Sequence, residues 1–171
     1  MNVQKVTTLN QNGTATVNRQ PSLGILGGAF DPVHNGHLKM ARVAMEEGGL
    51  DKVIFIPVAV SPLKTGGPVA ESQARLAMLE IALADYPDYV VSGIELDREG
   101  ISYTIDTLRE LREDYGPAAE LTLIIGMDNF LSIAGWRDIE SLIEMSKFII
   151  ISRPGFKINR LAGKDKYWAD K

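Results

Sequence analysis

The 171-residue sequence carries 18 basic and 22 acidic residues, a net charge of −4, with 45% hydrophobic and 23% charged residues, the balance of one soluble globular domain. The acidic excess argues against a general nucleic-acid binder, which would be basic, and no apolar run approaches the roughly 20 residues that cross a bilayer. There is no cysteine, which removes disulfides and thiolate metal sites and agrees with a reducing, cytoplasmic setting.

Residues 1–20 are rich in Asn, Gln and Thr and read as a disordered tail, which extends through residue 21. The folded domain is expected over 22–171. From Leu23 onward, short apolar runs alternate with longer amphipathic stretches. The runs 23–26, 53–56, 89–92, 121–125 and 148–151 have the length and β-branched content of buried strands. Helices are predicted over roughly 37–47, 71–85, 104–115 and 138–145. In the second helix, Leu76, Leu79, Ile81 and Leu83 form the expected apolar stripe against Arg75 and Glu80. This alternation predicts an α/β fold: a Rossmann-like, doubly wound, five-stranded parallel sheet with helices on both faces. Such sheets bind ligands beyond the carboxyl ends of the strands, where strand order reverses.

The first run ends in Gly27-Gly28-Ala29-Phe30-Asp31-Pro32-Val33-His34-Asn35-Gly36-His37-Leu38. Gly27 and Gly28 lack a Cβ and let a ligand approach the backbone, and Pro32 stiffens the turn. Asn35 is predicted to cap a helix that starts near Gly36. The free N–H groups and positive dipole end of that helix make an anion site. His34 and His37, the only histidines, lie three apart and can share one side of the first turn. They add ring donors, and positive charge when a bound triphosphate favours their protonated forms. Two histidines without cysteine leave a structural zinc set incomplete, so no protein-held metal is predicted.

This stretch resembles the signature of the nucleotidyltransferase superfamily, which includes adenylyl- and cytidylyltransferases; His34-x-Gly36-His37 is its most specific element. It differs from the dinucleotide fingerprint and from the Walker A loop. The resemblance implies that Gly27, Gly28, Ala29, Phe30, His34, Gly36 and His37 bind ATP, with His34 and His37 as the catalytic pair on its phosphates.

Several later segments resemble nicotinate-nucleotide adenylyltransferases. The family often reads Pro-Pro-His-Lys where this chain has Ser61-Pro62-Leu63-Lys64. Leu63 is a departure, while Lys64 remains as a cation for the ATP phosphates or as a solvated surface lysine. Ser102-Tyr103-Thr104 enters a helix as in the family, so Tyr103 and the N–H groups near Thr104 would hold a nicotinate carboxylate, beside or instead of a plain cap by Ser102 or Thr104. Asp128, at the end of the fourth run, would bind a ribose hydroxyl of ATP or cap a helix. Trp136 would stack the pyridine ring or belong to the core. Arg153, in Ser152-Arg153-Pro154-Gly155, would pair with the mononucleotide's phosphate or carboxylate.

The resemblance covers about residues 23–156. It implies transfer of the adenylyl group of ATP to nicotinate mononucleotide, giving deamido-NAD and pyrophosphate in NAD biosynthesis. Mg²⁺ would accompany ATP, no nucleic acid or membrane would be a partner, and a homo-oligomer is compatible. Family members continue past the Arg-Pro-Gly turn into an Ile-Ser-Ser-Thr-x-x-Arg motif that grips the ATP phosphates, which this sequence lacks. That departure keeps two other readings open. One is another adenylyltransferase, such as a pantetheine-phosphate adenylyltransferase, which would share His34 and His37 but not need Trp136 and Arg153. The other is a truncated nucleotide-binding domain without catalysis.

Overall fold

Successive side chains of a strand point to opposite faces, so a run that is apolar at every position needs cover on both sides. The computed structural model describes residues 7–9, 15–17, 20–60, 62, 67–98 and 100–152 and contains a sheet of that kind. A short antiparallel pair comes first, β1 (Thr7–Leu9) and β2 (Ala15–Val17), within the stretch expected to lack structure. The domain then alternates β3 (Ser22–Gly28), α1 (Asn35–Gly48), β4 (Lys52–Pro57), α2 (Ser72–Leu83), β5 (Tyr89–Val91), α3 (Thr104–Tyr115) and β6 (Glu120–Gly126). After β6 come α4 (Met127–Ser132), a 3₁₀ turn (Ile133–Gly135), α5 (Ile139–Met145) and β7 (Lys147–Ile151). The α4 helix and the 3₁₀ turn were not expected from the sequence pattern.

Strands β3 to β7 form one parallel sheet in the order β5-β4-β3-β6-β7. The chain winds outward from β3 to β5, then crosses to β6 on the other side of β3. Strand order therefore reverses between β3 and β6, and a crevice opens at their carboxyl ends. Leu23 and Ile25 of β3, Ile54 and Ile56 of β4, and Leu121, Leu123 and Ile125 of β6 share one core with Ile105, Leu108 and Leu111 of α3. The intervening residues Leu26, Val53, Phe55 and Ile124 face the other way, onto Ala41 and Ala44 of α1 and Leu79 and Leu83 of α2. Gly24 lies on this second face. A Cβ there would come within 2.7 Å of Leu50 and 2.8 Å of Ile124, so the glycine lets the loop after α1 close on the sheet.

The α2 helix departs from the expected stripe. Its buried residues are Arg75, Leu79 and Leu83, a four-residue repeat along one face, whereas Ile81 is 78% exposed. At about 100° per residue, Ile81 lies on the far side of the helix from Leu79. Arg75 is the largest buried side chain, 1% exposed. Its guanidinium donates to the carbonyl oxygens of Ala29 (2.8 Å), Val58 (2.9 Å) and Ala70 (3.2 Å) and to the Ser72 hydroxyl (3.2 Å). Burial pulls its pKa down and the nearby Asp31 carboxylate pushes it back up. The Asp31 carboxylate accepts from the backbone N–H groups of Val69 and Ala70. Two charged side chains thus bind the loops after β3 and β4 to the amino end of α2.

Arg75→Met keeps the stem but leaves three carbonyl oxygens without their donor. We expect a loss of about 3 kcal/mol in urea unfolding with an unchanged m value. A change below about 0.5 kcal/mol would show that water replaces the guanidinium.

Candidate active site

The crevice is a cleft of about 1570 Å³, larger than a typical single-ligand pocket of about 300–1,000 Å³ and roomy enough for two nucleotides. On the β3 side, Gly27, Gly28, Ala29, Phe30, His34, Gly36 and His37 line it. Opposite them stand Tyr103, Thr104, Asp128 and Trp136. Lys64 and Arg153 lie outside the described residues.

The phosphate-loop candidate is built on local chemistry. A Cβ on Gly27 would meet no protein atom within 4 Å, so the space before it belongs to the cleft. Phe30 turns the chain with a φ of 47°, an uncommon conformation for a non-glycine residue. Its ring is 1% exposed, packed 5.8 Å from Phe55 and edge-on to His37 at 4.9 Å between centroids.

His34, not Asn35, caps α1. Its Nδ1 accepts from the Gly36 N–H at 3.1 Å, and the His37 Nδ1 accepts from the His34 N–H at 3.2 Å. The two rings stack with centroids 3.8 Å apart. Asparagine has good cap propensity, but here it is the first helical residue. Because each Nδ1 accepts, each neutral ring carries its proton on Nε2. Gly36 is required by this arrangement, since a Cβ there would lie 2.9 Å from both Cε1 and Nδ1 of His34.

The other wall begins at α3. Its N-cap is Tyr103, with no side-chain cap, so neither Ser102 nor Thr104 plays the capping part. Asp106 and Thr107 N–H groups turn back to the Tyr103 carbonyl at 3.0 and 3.3 Å. The N–H groups of Thr104 and Ile105 come earlier and have no acceptor within the helix; a helix start of this kind favours an anion. Trp136 packs against the core and also lines the cleft; its indole N–H is buried without an acceptor among the described residues. Asp128 is exposed in the first turn of α4, and the α4 cap position is Gly126, without a side-chain cap.

Three features escaped the sequence reading. Arg75 beneath the loop was one, although its four-residue spacing from Leu79 and Leu83 carried a signal. Arg137 was another; its guanidinium sits 4.5 Å from the centre of the Tyr103 ring and 3.8 Å from Asp106. The third was Glu95, a cleft-lining carboxyl only 8% exposed. Burial raises its pKa, while the Thr107 hydroxyl, Arg98 and Ser102 act in the opposite direction.

Residues 25–170 match the cytidylyltransferase-like family. A probable nicotinate-nucleotide adenylyltransferase of Moorella thermoacetica is 46% identical over 145 residues, spanning 85% of this chain and 67% of that one. Its counterpart in Desulfitobacterium hafniense is 46% identical over 141 residues, spanning 82% and 68%. A solved structure of the Plasmodium falciparum nicotinic acid mononucleotide adenylyltransferase complexed with NaAD superposes with a TM-score of 0.69 at 22% identity, covering 82% of this chain and 68% of that one; this is a likeness of fold.

Gly36→Ala tests the histidine cap. The added methyl displaces the His34 ring, costing a cap of about 1 kcal/mol, while alanine favours the helix by up to about 1 kcal/mol. Thermal stability should therefore change little, while calorimetric affinity for a nucleoside triphosphate such as ATP falls about tenfold. Unaltered affinity would mean that the His34 ring does not reach the nucleotide.

Proposed function

Because the chain belongs to the nicotinate-nucleotide adenylyltransferases of the cytidylyltransferase-like family, we propose that it transfers the adenylyl group of ATP to nicotinate mononucleotide, forming deamido-NAD and pyrophosphate. The observation that carries the chemistry is the interlocked pair His34 and His37 at the strand-order reversal. Each imidazole accepts from a backbone N–H at the amino end of α1 through Nδ1 and keeps a donor at Nε2. The pair therefore passes the positive end of the helix on to a phosphate through two rigid rings.

In this reading a 5′-phosphate oxygen of nicotinate mononucleotide attacks the α-phosphorus of ATP. The bond to the bridging oxygen breaks, and pyrophosphate leaves with the electron pair. The nucleophile is already an anion, so no general base is needed, and catalysis consists of positioning and charge stabilisation. His34 and His37 donate to oxygens on the α-phosphate and the leaving group. The backbone of Gly27, Gly28, Ala29 and Phe30 underlies the phosphates, the cation of Lys64 pairs with them, and Asp128 accepts from a ribose hydroxyl. The N–H groups at the start of α3, beside Tyr103 and Thr104, receive the nicotinate carboxylate. Trp136 stacks on the ring, and Arg153 pairs with the mononucleotide.

The donors in the cleft suit Mg²⁺ carried by the nucleotide. Of the acids lining the cleft, Asp31 accepts from backbone N–H groups and Glu95 is buried, so the exposed Asp128 is the carboxylate that would approach an ion carried by the phosphate oxygens of ATP. When bound, it would neutralise charge on those oxygens. Among the described residues no helix is long and apolar enough to cross a membrane; with ATP as co-substrate, this reading places the enzyme in the cytoplasm.

The test is pyrophosphate release from ATP and Mg²⁺ with nicotinate mononucleotide, nicotinamide mononucleotide or phosphopantetheine as acceptor. Release with the nicotinate compound is expected, and release only with phosphopantetheine would overturn the assignment. His37→Ala should lower kcat by about 10²-fold or more with little change in acceptor affinity. Trp136→Ala should raise the KM for the acceptor about tenfold; a loss confined to melting temperature would assign the indole to the core alone.

A further inference from the structure

Among the described residues Glu95 is the one acid in the buried polar set, and the mechanism above does not use it. It sits on the connection between β5 and α3, with its side chain in the wall of the cleft. Its Oε1 accepts from the Thr107 hydroxyl at 2.8 Å. Thr107, 1% exposed, is the fourth residue of α3, about one turn from the N–H groups of Thr104 and Ile105. Glu95 is therefore tied to the helix end that receives an anion.

Its surroundings do not neutralise a negative charge. Arg98 lies on the same connection, but its Nε is 2.8 Å from Glu110 on α3, and its Nη2 donates to the Thr107 hydroxyl oxygen at 3.3 Å. Among the described residues no basic group lies within 4 Å of the Glu95 carboxylate. Glu110 contributes a second negative field, and Ser102 is close enough to favour the ionised form without completing a hydrogen bond of good geometry. Arg98 and Glu110 are thus the charged groups acting on Glu95, with opposite signs. The polar contacts around the carboxyl are hydroxyls.

Resting on the acceptor reading given above, we propose that Glu95 is a positioning residue whose carboxyl must be neutral when an anionic acceptor docks at the amino end of α3. The neutral carboxyl keeps its link to Thr107 and holds the helix end in place. The ionised carboxyl sets a like charge behind the same wall and opposes the acceptor's own carboxylate. Docking a nicotinate carboxylate therefore draws a proton onto Glu95, whereas docking the corresponding carboxamide does not. Both acceptors carry the same 5′-phosphate, so the difference between them isolates the carboxylate.

Two calorimetric measurements on the whole chain test this. In the wild type, titration in two buffers of different ionisation enthalpy should show more proton uptake with nicotinate mononucleotide than with nicotinamide mononucleotide. Affinity for the acid should also fall as pH rises above the Glu95 pKa of the free protein, by about tenfold for each pH unit until the pKa of the complex is reached. In Glu95→Gln, which keeps the shape and stays neutral, that extra dependence should vanish, and at about pH 8 the acid should bind more tightly than to the wild type. Equal proton uptake for both acceptors overturns the proposal even if Glu95→Gln fails to fold. So does a variant with the same pH profile as the wild type, or one that weakens both acceptors alike. Binding of neither pyridine nucleotide at any pH would remove the functional reading and this inference together, whereas binding without the proton linkage would remove this inference alone.

Discussion

The floor of the cleft is held by the hydrogen bonds of one buried guanidinium. Arg75 joins three pieces of chain distant in sequence, the loop after β3, the loop after β4 and the entry to α2, through the carbonyl oxygens of Ala29, Val58 and Ala70. A buried cation is stable only where its donors find acceptors, so the cation and the carbonyls hold each other to a single arrangement. Asp31 adds a second tie through the N–H groups of Val69 and Ala70 and supplies the compensating charge. The strained turn at Phe30, with its positive φ, lies between these two anchors. Its backbone can hold an uncommon conformation because the residues on either side are fixed.

From that floor, two helix amino ends face one crevice, and they are finished differently. The α1 end is closed by imidazoles: the N–H of Gly36 is taken by His34, and the N–H of His34 by His37. The Nδ1 atom of each ring is thereby occupied by the helix start. The α3 end has Tyr103 at the cap position and no side-chain cap hydrogen bond. A ring donor reaches a phosphate oxygen away from the backbone, whereas a bare helix end receives a small planar anion directly. The strand-order reversal between β3 and β6 brings the two ends to one cleft, as a joining reaction requires.

Glu95 shows what such a site costs the fold. Burial raises the pKa of its carboxyl, so the folded state favours the neutral form. Stability from this group is therefore complete below the unfolded-state pKa and declines as pH rises through the higher folded-state value. A glutamine would avoid that decline. The presence of an acid against α3, tied to Thr107 at 2.8 Å, fits a wall whose charge responds to what binds there.

Sequence pattern alone was enough for the five parallel strands, because aliphatic runs of four or five residues between amphipathic stretches leave few ways to bury both faces. It was also enough for the two histidines with Gly36 between them, because their spacing is local and one helical turn brings them together. The family, too, was legible from the residues around them. Only the tertiary structure decided which groups lie inside. Arg75 reads as a solvated charge on a helix until the carbonyls of Ala29 and Val58, 46 and 17 residues away, converge on it, and Ile81 reads as core until Arg75, Leu79 and Leu83 prove to be the buried face. Asn35 lost the cap to His34 because the stacked rings could interlock with the helix start, a pairing that cap propensity does not register. Glu95 became a buried acid only when α3 folded against its loop. The physical division is one of range: alternation, glycine spacing and helix turns act within a few residues and can be read along the chain, whereas the charge state and partner of a buried polar group depend on atoms that only the completed sheet brings near.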